Sequence, residues 1–202
     1  MRVLVDSDVF CKLGIGNLLA DMLSALDADF QNCGRLPALP YMLRRGKLLK
    51  LYGTKACADL IPLAESITPI RAPDEQWLER LAPVKDIDPG EAQLFAVSAS
   101  DSLIIITGDK RALIALKDVE GYAEALAGRI IVLEAVILVL GNRLGYNEVK
   151  RRLGSLITSH LTLKICFSND NPDPRGALES YYRDLVAEVH PLLLWDPYGV
   201  TL

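Results

Sequence analysis

Short, mostly apolar runs alternate along the chain with longer stretches in which apolar residues recur at helical spacing. The apolar runs are residues 2–5, 35–39, 66–70, 102–107 and 129–132. Most of them are apolar throughout instead of alternating with polar residues, which is typical of strands in a parallel sheet covered on both faces. The order of elements therefore predicts an α/β fold, a three-layer α/β/α domain built on a mainly parallel sheet.

The stretches between the apolar runs predict helices, several of which begin at Asp or Pro. These helices cover residues 17–26, 41–52, 56–64, 74–81, 88–100, 134–144, 147–157 and 173–189, and others begin near residues 6–8 and at residue 109. Pro40 suits the first turn of the helix that follows it, and Pro69 suits an edge strand. After Gly145 the alternation stops. We therefore expect an α/β domain over residues 1–145 and a helical extension over residues 146–202 packed on it.

Length and composition limit the class of protein. The chain has 202 residues, half of them hydrophobic, which is enough to bury the core of one domain and excludes a disordered or collagen-like chain. No apolar run approaches the ~20 residues needed to cross a bilayer, so we expect no membrane partner. Four cysteines are scattered without a Cys-x-x-Cys pair. This usage predicts buried thiols in a reducing cytoplasm and excludes a zinc ribbon.

The charge is unevenly distributed. A formal net charge of −4 argues against a general nucleic-acid coat protein, which would be basic. Residues 35–55, however, contain six basic residues and no acid. A polyanion partner would fit this segment, and so would a solvated helix face.

Acidic residues follow two of the predicted strands. Asp6 and Asp8 come directly after the first strand, and Asp109 follows the strand at 102–107. Glu91 lies at the start of the helix that leads into the strand at 102–107. If the two strands are neighbours, these carboxylates meet at one rim of the sheet, where α/β proteins bind ligands.

Carboxylates gathered at one rim repel one another, and a hard divalent cation such as Mg²⁺ or Mn²⁺ removes the repulsion. Such an ion can polarise a phosphodiester and lower the pKa of a bound water. The pattern thus predicts a metal-dependent phosphodiesterase. Each acid also has a simpler interpretation as a helix cap, most clearly in the capping box of Asp88 and Glu91. The residues alone leave both interpretations open.

Three segments together resemble the PIN-domain nucleases, in the toxin-like branch with a Gly-Glu-Ala acidic motif. They read VLVDSDVF at 3–10, DPGEAQLFA at 88–96 and LIIITGDKRAL at 103–113, and further similarity lies at 129–135 and 144–150. The resemblance covers about residues 2–153. It implies an endoribonuclease dependent on Mg²⁺ or Mn²⁺ that acts on RNA, often the toxin partner of an antitoxin protein. Carried over to this chain, it makes Asp6, Glu91 and Asp109 the catalytic, metal-binding acids.

This chain departs from the family at one acidic position. Arg44 stands about where the family has a Glu, and Asp8 would then be a further metal ligand. Either three carboxylates hold the ion, or the protein is a catalytically degenerate module that only binds nucleic acid or protein. The residues expected to contact the substrate are Ser7, Arg44, Thr107, Lys110 and Arg111. A third hypothesis is an interaction protein whose apolar tail, residues 192–198, docks on its own chain, on a second copy in a homodimer or on an antitoxin.

Overall fold

The computed structural model describes residues 3–199 and contains a five-stranded sheet. The strands are β1 (Val3–Val5), β2 (Cys33–Arg35), β3 (Thr68–Pro69), β4 (Ile104–Thr107) and β5 (Ile130–Val132). Their order across the sheet is β3-β2-β1-β4-β5, and every neighbouring pair is parallel.

Helices make up most of the remaining described chain. They are α1 (Ser7–Ile15), α2 (Leu19–Ala25), α3 (Leu39–Arg44), α4 (Lys47–Tyr52), α5 (Thr54–Ser66), α6 (Glu75–Leu81), α7 (Pro89–Asp101), α8 (Lys110–Leu116), α9 (Tyr122–Ala125), α10 (Leu133–Leu144), α11 (Tyr146–Leu153), α12 (Leu156–Ser159), α13 (Leu161–Cys166) and α14 (Pro174–Val189), with a 3-10 turn at Phe30–Asn32. No helix within residues 3–199 is long and apolar enough to cross a membrane.

The sheet is covered on both faces. Every residue of β1, β2, β4 and β5 is buried, although successive side chains point to opposite faces. Only the edge strand β3 is exposed, and Pro69 lies in it, where the missing amide hydrogen is tolerated. The predicted three-layer α/β fold with a parallel sheet is confirmed.

The strand order creates a switch point at the centre of the sheet. After β1 the chain builds β2 and β3 on one side, then returns to place β4 on the other side of β1. Val5 pairs with Ile106, and the Asp6 amide donates a hydrogen bond of 2.9 Å to the Ile106 carbonyl. The carboxyl ends of β1 and β4 therefore lie side by side, as the sequence argument required.

Several predicted boundaries are wrong, and among them the helix predicted over 147–157 is two helices, α11 and α12. The second strand covers Cys33–Arg35 and not residues 35–39, because the chain turns after Leu36 and enters α3 at Leu39. The single helix predicted over 41–52 is two helices, α3 and α4. Gly46 separates them with φ of +135°, a conformation outside the helical region.

The C-terminal part packs on the sheet domain. α14 contacts α8, α10 and α13, and its buried residues belong to the same hydrophobic core as the strands. The tail after α14 extends the sheet beside β5: the Trp195 amide donates to the Ile130 carbonyl at 2.8 Å, and the Gly128 amide donates to the Leu193 carbonyl at 2.7 Å. The tail thus docks on its own chain, and the interaction-protein hypothesis loses its main support.

All four cysteines are free and buried, as expected. Burial raises the pKa of the Cys33 thiol to about 12 and that of Cys166 to about 11. Thiols in this state are weak nucleophiles.

Candidate functional site

An acidic cavity of about 560 Å³ lies at the carboxyl ends of β1 and β4. Its carboxylates come from three separate segments, namely the first turn of α1 with its cap, the start of α7 and the cap of α8. They are Asp6, Asp8, Asp88, Glu91 and Asp109. Another part of the wall is formed by α3 and α4. The structure therefore brings the three predicted acids, Asp6, Glu91 and Asp109, to one cavity.

Asp6 is held by the start of α1. It follows β1 directly, and its Oδ1 accepts a hydrogen bond of 2.7 Å from the Ser7 amide as the cap of the helix. The pKa of Asp6 is raised to about 6, mainly by burial and also by the carboxylates of Asp8 and Asp88, against the lowering effect of hydrogen bonds from the backbone of Ser7 and Asp8. The position is costly for a charged carboxylate.

Glu91 is held by the capping box of α7. Its Oε2 accepts a hydrogen bond of 2.8 Å from the Asp88 amide, while the Asp88 carboxylate accepts from the amides of Gly90 and Glu91. Burial raises the pKa of Glu91 to about 8, opposed by the bond from the Asp88 amide and reinforced by the carboxylates of Asp88, Asp109 and Asp6. Burial and the carboxylates of the three acidic segments therefore act in the same direction on Glu91.

Asp109 is held by the start of α8. Its Oδ1 accepts hydrogen bonds from the amides of Arg111 at 2.9 Å and Ala112 at 3.1 Å. Its own amide donates to the Thr107 hydroxyl at 3.3 Å. Asp109, like Asp6 and Glu91, is thus both a helix cap and a cavity residue. The two roles are compatible because a carboxylate has two oxygens and several acceptor sites.

Asp8, unlike Asp6 and Glu91, forms an ion pair with a buried cation. One carboxylate oxygen forms an ion pair with Lys12, one helical turn later, and the other accepts a hydrogen bond from the Tyr52 hydroxyl. The carboxylate is therefore already compensated. We leave Asp8 out of the set of residues that would hold a metal ion.

The predicted substrate residues divide into two groups. Ser7 lines the cavity and is only 5% exposed, and its hydroxyl has no hydrogen-bond partner within the described chain. Thr107 is buried behind the cavity, where its hydroxyl holds the Asp109 amide.

The three predicted basic contacts do not line the cavity. Arg44 pairs with Glu65, Lys110 with Glu188 and Arg111 with Asp109 at 3.7 Å. Arg44 therefore does not stand in for a metal ion beside the acids. On the same helix Met42 lines the cavity instead, and the cations that line it are Lys12 and Lys47.

Sequence reasoning missed Asp88, Lys12 and Tyr52 as site members, and it placed Lys47 only within a basic segment expected to guide RNA. Asp88 was expected only as a cap, although the capping box places it three residues from Glu91. The spacing of four residues between Asp8 and Lys12 is the sequence feature that indicates an ion pair between them. Tyr52 and Lys47 reach the cavity only because Gly46 redirects the chain, which the hydrophobic pattern does not show.

The oxygen atoms that line the cavity are of the chemical type that binds divalent cations, but they are not grouped as a metal site. Carboxylate oxygens are the ligands that Mg²⁺ and Mn²⁺ prefer, and no cation is among the main causes of the raised pKa values of Asp6 and Glu91. Within residues 3–199, however, no three His, Cys, Asp or Glu side chains are grouped closely enough to hold a metal ion. The acids share a cavity and an electrostatic field, while their present arrangement is that of helix caps.

No family model, no curated protein and no solved structure matches the chain. The functional argument therefore depends on the cavity itself.

Proposed function

We propose that the chain is a divalent-metal-dependent phosphodiesterase that hydrolyses RNA, with Asp6, Glu91 and Asp109 holding Mg²⁺ or Mn²⁺. One observation supports this most directly. Acids from three separate segments line one cavity at the switch point of the sheet, and their mutual repulsion helps to raise the pKa of Glu91 to about 8. A divalent cation bound between these carboxylates would compensate their negative charge and so remove the repulsion. When bound, it would supply a Lewis acid for the phosphodiester.

RNA as the substrate is supported by the sequence resemblance and by the polar groups at the cavity. Lys47 is exposed, lines the cavity and forms no ion pair within the described chain, so it is free to contact a phosphate. The buried hydroxyl of Ser7 offers a hydrogen bond beside Asp6. A role as the toxin of a toxin–antitoxin pair, and an antitoxin partner, stay predictions from the resemblance alone.

A non-catalytic module that binds nucleic acid or protein is the second candidate. The observation that favours it is the lack of a ready metal-binding group within residues 3–199. Arg44 pairs with Glu65 and not with Asp6 or Asp109, so Arg44 does not take the place of a metal ion and gives this candidate no support. Metal binding separates the two candidates.

The test is a calorimetric titration of the metal-free protein with Mn²⁺, with cleavage of a mixed RNA pool assayed on the same samples. Wild type is compared with D6N and D109N, which remove a charge but keep a good helix cap, because Asn caps helices as well as Asp. D74N is the matched control: Asp74 caps α6 through the amides of Gln76 and Trp77 and does not line the cavity.

We expect wild type and D74N to bind Mn²⁺ and cleave RNA, and D6N and D109N to lose at least tenfold in affinity together with cleavage. Mn²⁺ binding without cleavage would indicate an enzyme whose RNA substrate is more restricted than the pool. Failure of folded wild type to bind Mn²⁺ would overturn the proposed enzyme.

A further inference from the structure

A groove lies on the other side of Tyr52 from the acidic cavity. It runs between the end of α1 and the start of α5, and its volume of about 660 Å³ is within the range of pockets that hold small ligands, roughly 300–1,000 Å³. Tyr52, at the end of α4, lines both the groove and the cavity. Its hydroxyl donates to Asp8 on the cavity side, so the Tyr52 ring separates the two. A long ligand in the cavity therefore continues past Tyr52 into the groove.

The walls of this groove, the Lys55 groove, combine apolar and polar groups. Leu60 is buried and Ile15 and Leu63 are half-buried, so they form an apolar surface. Lys55 and Asn17 are exposed and bring an ammonium and a side-chain amide to the same groove. A cationic groove with an aromatic ring beside it is the combination by which proteins hold the phosphates and the bases of a single nucleic-acid strand.

The positive charge along α4 and the start of α5 is not neutralised by the chain itself. No acidic residue occurs between positions 29 and 59. Lys47 at the cavity, Lys50 on α4 and Lys55 at the groove are all exposed, and none forms an ion pair within residues 3–199. Asp59 lines the groove one turn after Lys55, but in the described part of the chain the two are not paired. This surface is therefore complementary to a polyanion, on a chain whose net charge is −4.

We propose that the Lys55 groove binds the nucleotide next to the one in the acidic cavity, so that an unpaired RNA strand runs from the cavity across Tyr52 to Lys55. This inference rests on the proposed function, in which the cavity acts on RNA. The Lys55 ammonium contacts a backbone phosphate, and the Tyr52 ring lies against a base. Such a base has to be unstacked from its neighbours, so the strand is unpaired at this point.

An acidic protein segment is the competing ligand for a cationic surface. The apolar wall of Ile15, Leu60 and Leu63 favours RNA, because a nucleotide carries a flat base beside its phosphate. The side chains of Asp and Glu have no such group and would leave the wall uncovered. Poly-L-glutamate is therefore the probe for the competing ligand.

The first test is the binding of a fluorescein-labelled oligouridine of about eight nucleotides, a length within the site sizes of single-strand-binding domains. Fluorescence anisotropy is measured in EDTA, so that neither metal nor cleavage contributes. We expect K55A to weaken binding about tenfold at low salt. It should also lower the slope of log Kd against log salt by about 0.7, the value for one phosphate contact in a single strand.

K164A is the matched control for K55A. Lys164 lies on α13, is exposed, lines neither the cavity nor the groove, and forms no ion pair in the described part of the chain. K164A should bind the oligouridine like wild type, with the same salt slope.

A second measurement locates the strand on the protein. Oligouridine that contains 4-thiouridine is crosslinked with near-ultraviolet light, and the attached peptide is identified by mass spectrometry. We expect attachment at residues that line the Lys55 groove, within 14–17 or 52–63.

K55A that binds RNA as tightly as wild type would overturn the inference and leave the proposed function intact, and so would crosslinks found only outside the groove. Poly-L-glutamate that displaces the label as well as unlabelled oligouridine does would overturn it in favour of an acidic protein partner. Binding that depends on Lys55 in a chain that neither binds Mn²⁺ nor cleaves RNA would support the groove and contradict the proposed enzyme, so the two failures are distinguishable.

Discussion

Glu91 has two roles that make opposite demands on its charge. As the third residue of the capping box it accepts the Asp88 amide, and as a cavity residue it faces other carboxylates. Its pKa of about 8 in the folded chain lies above the ordinary value, so the folded state binds the proton more tightly than the unfolded state. Stability is therefore lost as pH rises from about 4.5 to about 8.

We predict that E91Q stabilises the metal-free protein at high pH. Gln at this position keeps the capping box but carries no charge. Its melting temperature should exceed that of wild type by about 2–4 °C at pH 8, or ~1 kcal/mol, and the difference should vanish near pH 5. Thermal unfolding followed by circular dichroism at both pH values is the measurement. A lower melting temperature for E91Q at pH 8 would show that the charge at Glu91 is already compensated.

Metal binding should also displace the proton from Glu91. At pH 7 a carboxyl with a pKa of about 8 is mostly protonated, and a metal ligand must be deprotonated. We predict release of about one proton per Mn²⁺ at pH 7 and close to none at pH 9. Calorimetry in buffers of different ionisation enthalpy measures the number. Binding heats that do not depend on the buffer at pH 7 would exclude Glu91 as a ligand.

Lys47 and Arg44 are close in sequence and should differ in function. Arg44 pairs with Glu65, whereas Lys47 lines the cavity without an ion pair in residues 3–199. We predict that K47A raises KM for RNA about tenfold and weakens its salt dependence, while R44A changes KM by less than about twofold. Steady-state cleavage at two salt concentrations tests this. Equal effects of the two substitutions would indicate that RNA contacts α3 as well as α4.

The residues that could be predicted from the sequence are those held by local interactions. Asp6, Asp109 and Glu91 occupy caps that the neighbouring residues determine, and their strands or helices are clear in the pattern. The pairing of Asp8 with Tyr52 joins residues 44 positions apart and leaves no mark in the spacing. The spacing also gives no sign that Arg44 pairs with Glu65, which lies on another helix. The sequence therefore predicts Arg44 as a substrate contact, although it does not line the cavity.

At the scale of elements, the separation of α3 from α4 shapes the cavity. Gly46 has φ of +135° and ψ of −152°, a region that is essentially restricted to glycine. The break lets α4 turn Lys47 and Tyr52 toward the acids. Continuous helical periodicity over 41–52 concealed it, because side chains on both short helices still face the core.

We predict that G46A destabilises the protein by about 1–3 kcal/mol, because a Cβ atom strains this backbone conformation. Gly108→Ala is the control, since the added Cβ would meet Val9 at an ordinary 3.5 Å and the backbone there is not in the positive-φ region. Urea unfolding of both variants measures the difference. A loss for G46A no larger than for G108A would mean that α3 and α4 can join into one helix.

At the scale of the whole molecule, the strand order brings carboxylates from separate segments of the chain to one cavity. The alternation of strands and helices predicted the layers, but it left the adjacency of β1 and β4 as a condition, which the pairing of Val5 with Ile106 fulfils. The tail could not be assigned from its composition. An apolar end suits an intermolecular patch as well as a place beside β5, and only the hydrogen bonds to Gly128 and Ile130 distinguish them.

The tail should therefore contribute to folding and not to association. Leu194 is 8% exposed beside β5, whereas its neighbour Leu193 is 58% exposed, so the pair forms a matched comparison. We predict that L194A lowers the free energy of unfolding by about 2–3 kcal/mol, while L193A changes it by less than ~0.5 kcal/mol. Urea unfolding gives both values, and sedimentation velocity of the same samples gives the oligomeric state. If L193A dissociates an oligomer while L194A leaves stability unchanged, the tail is an interface between chains. Burial of Leu194 against β5 instead requires that L194A destabilises the chain and that L193A has little effect.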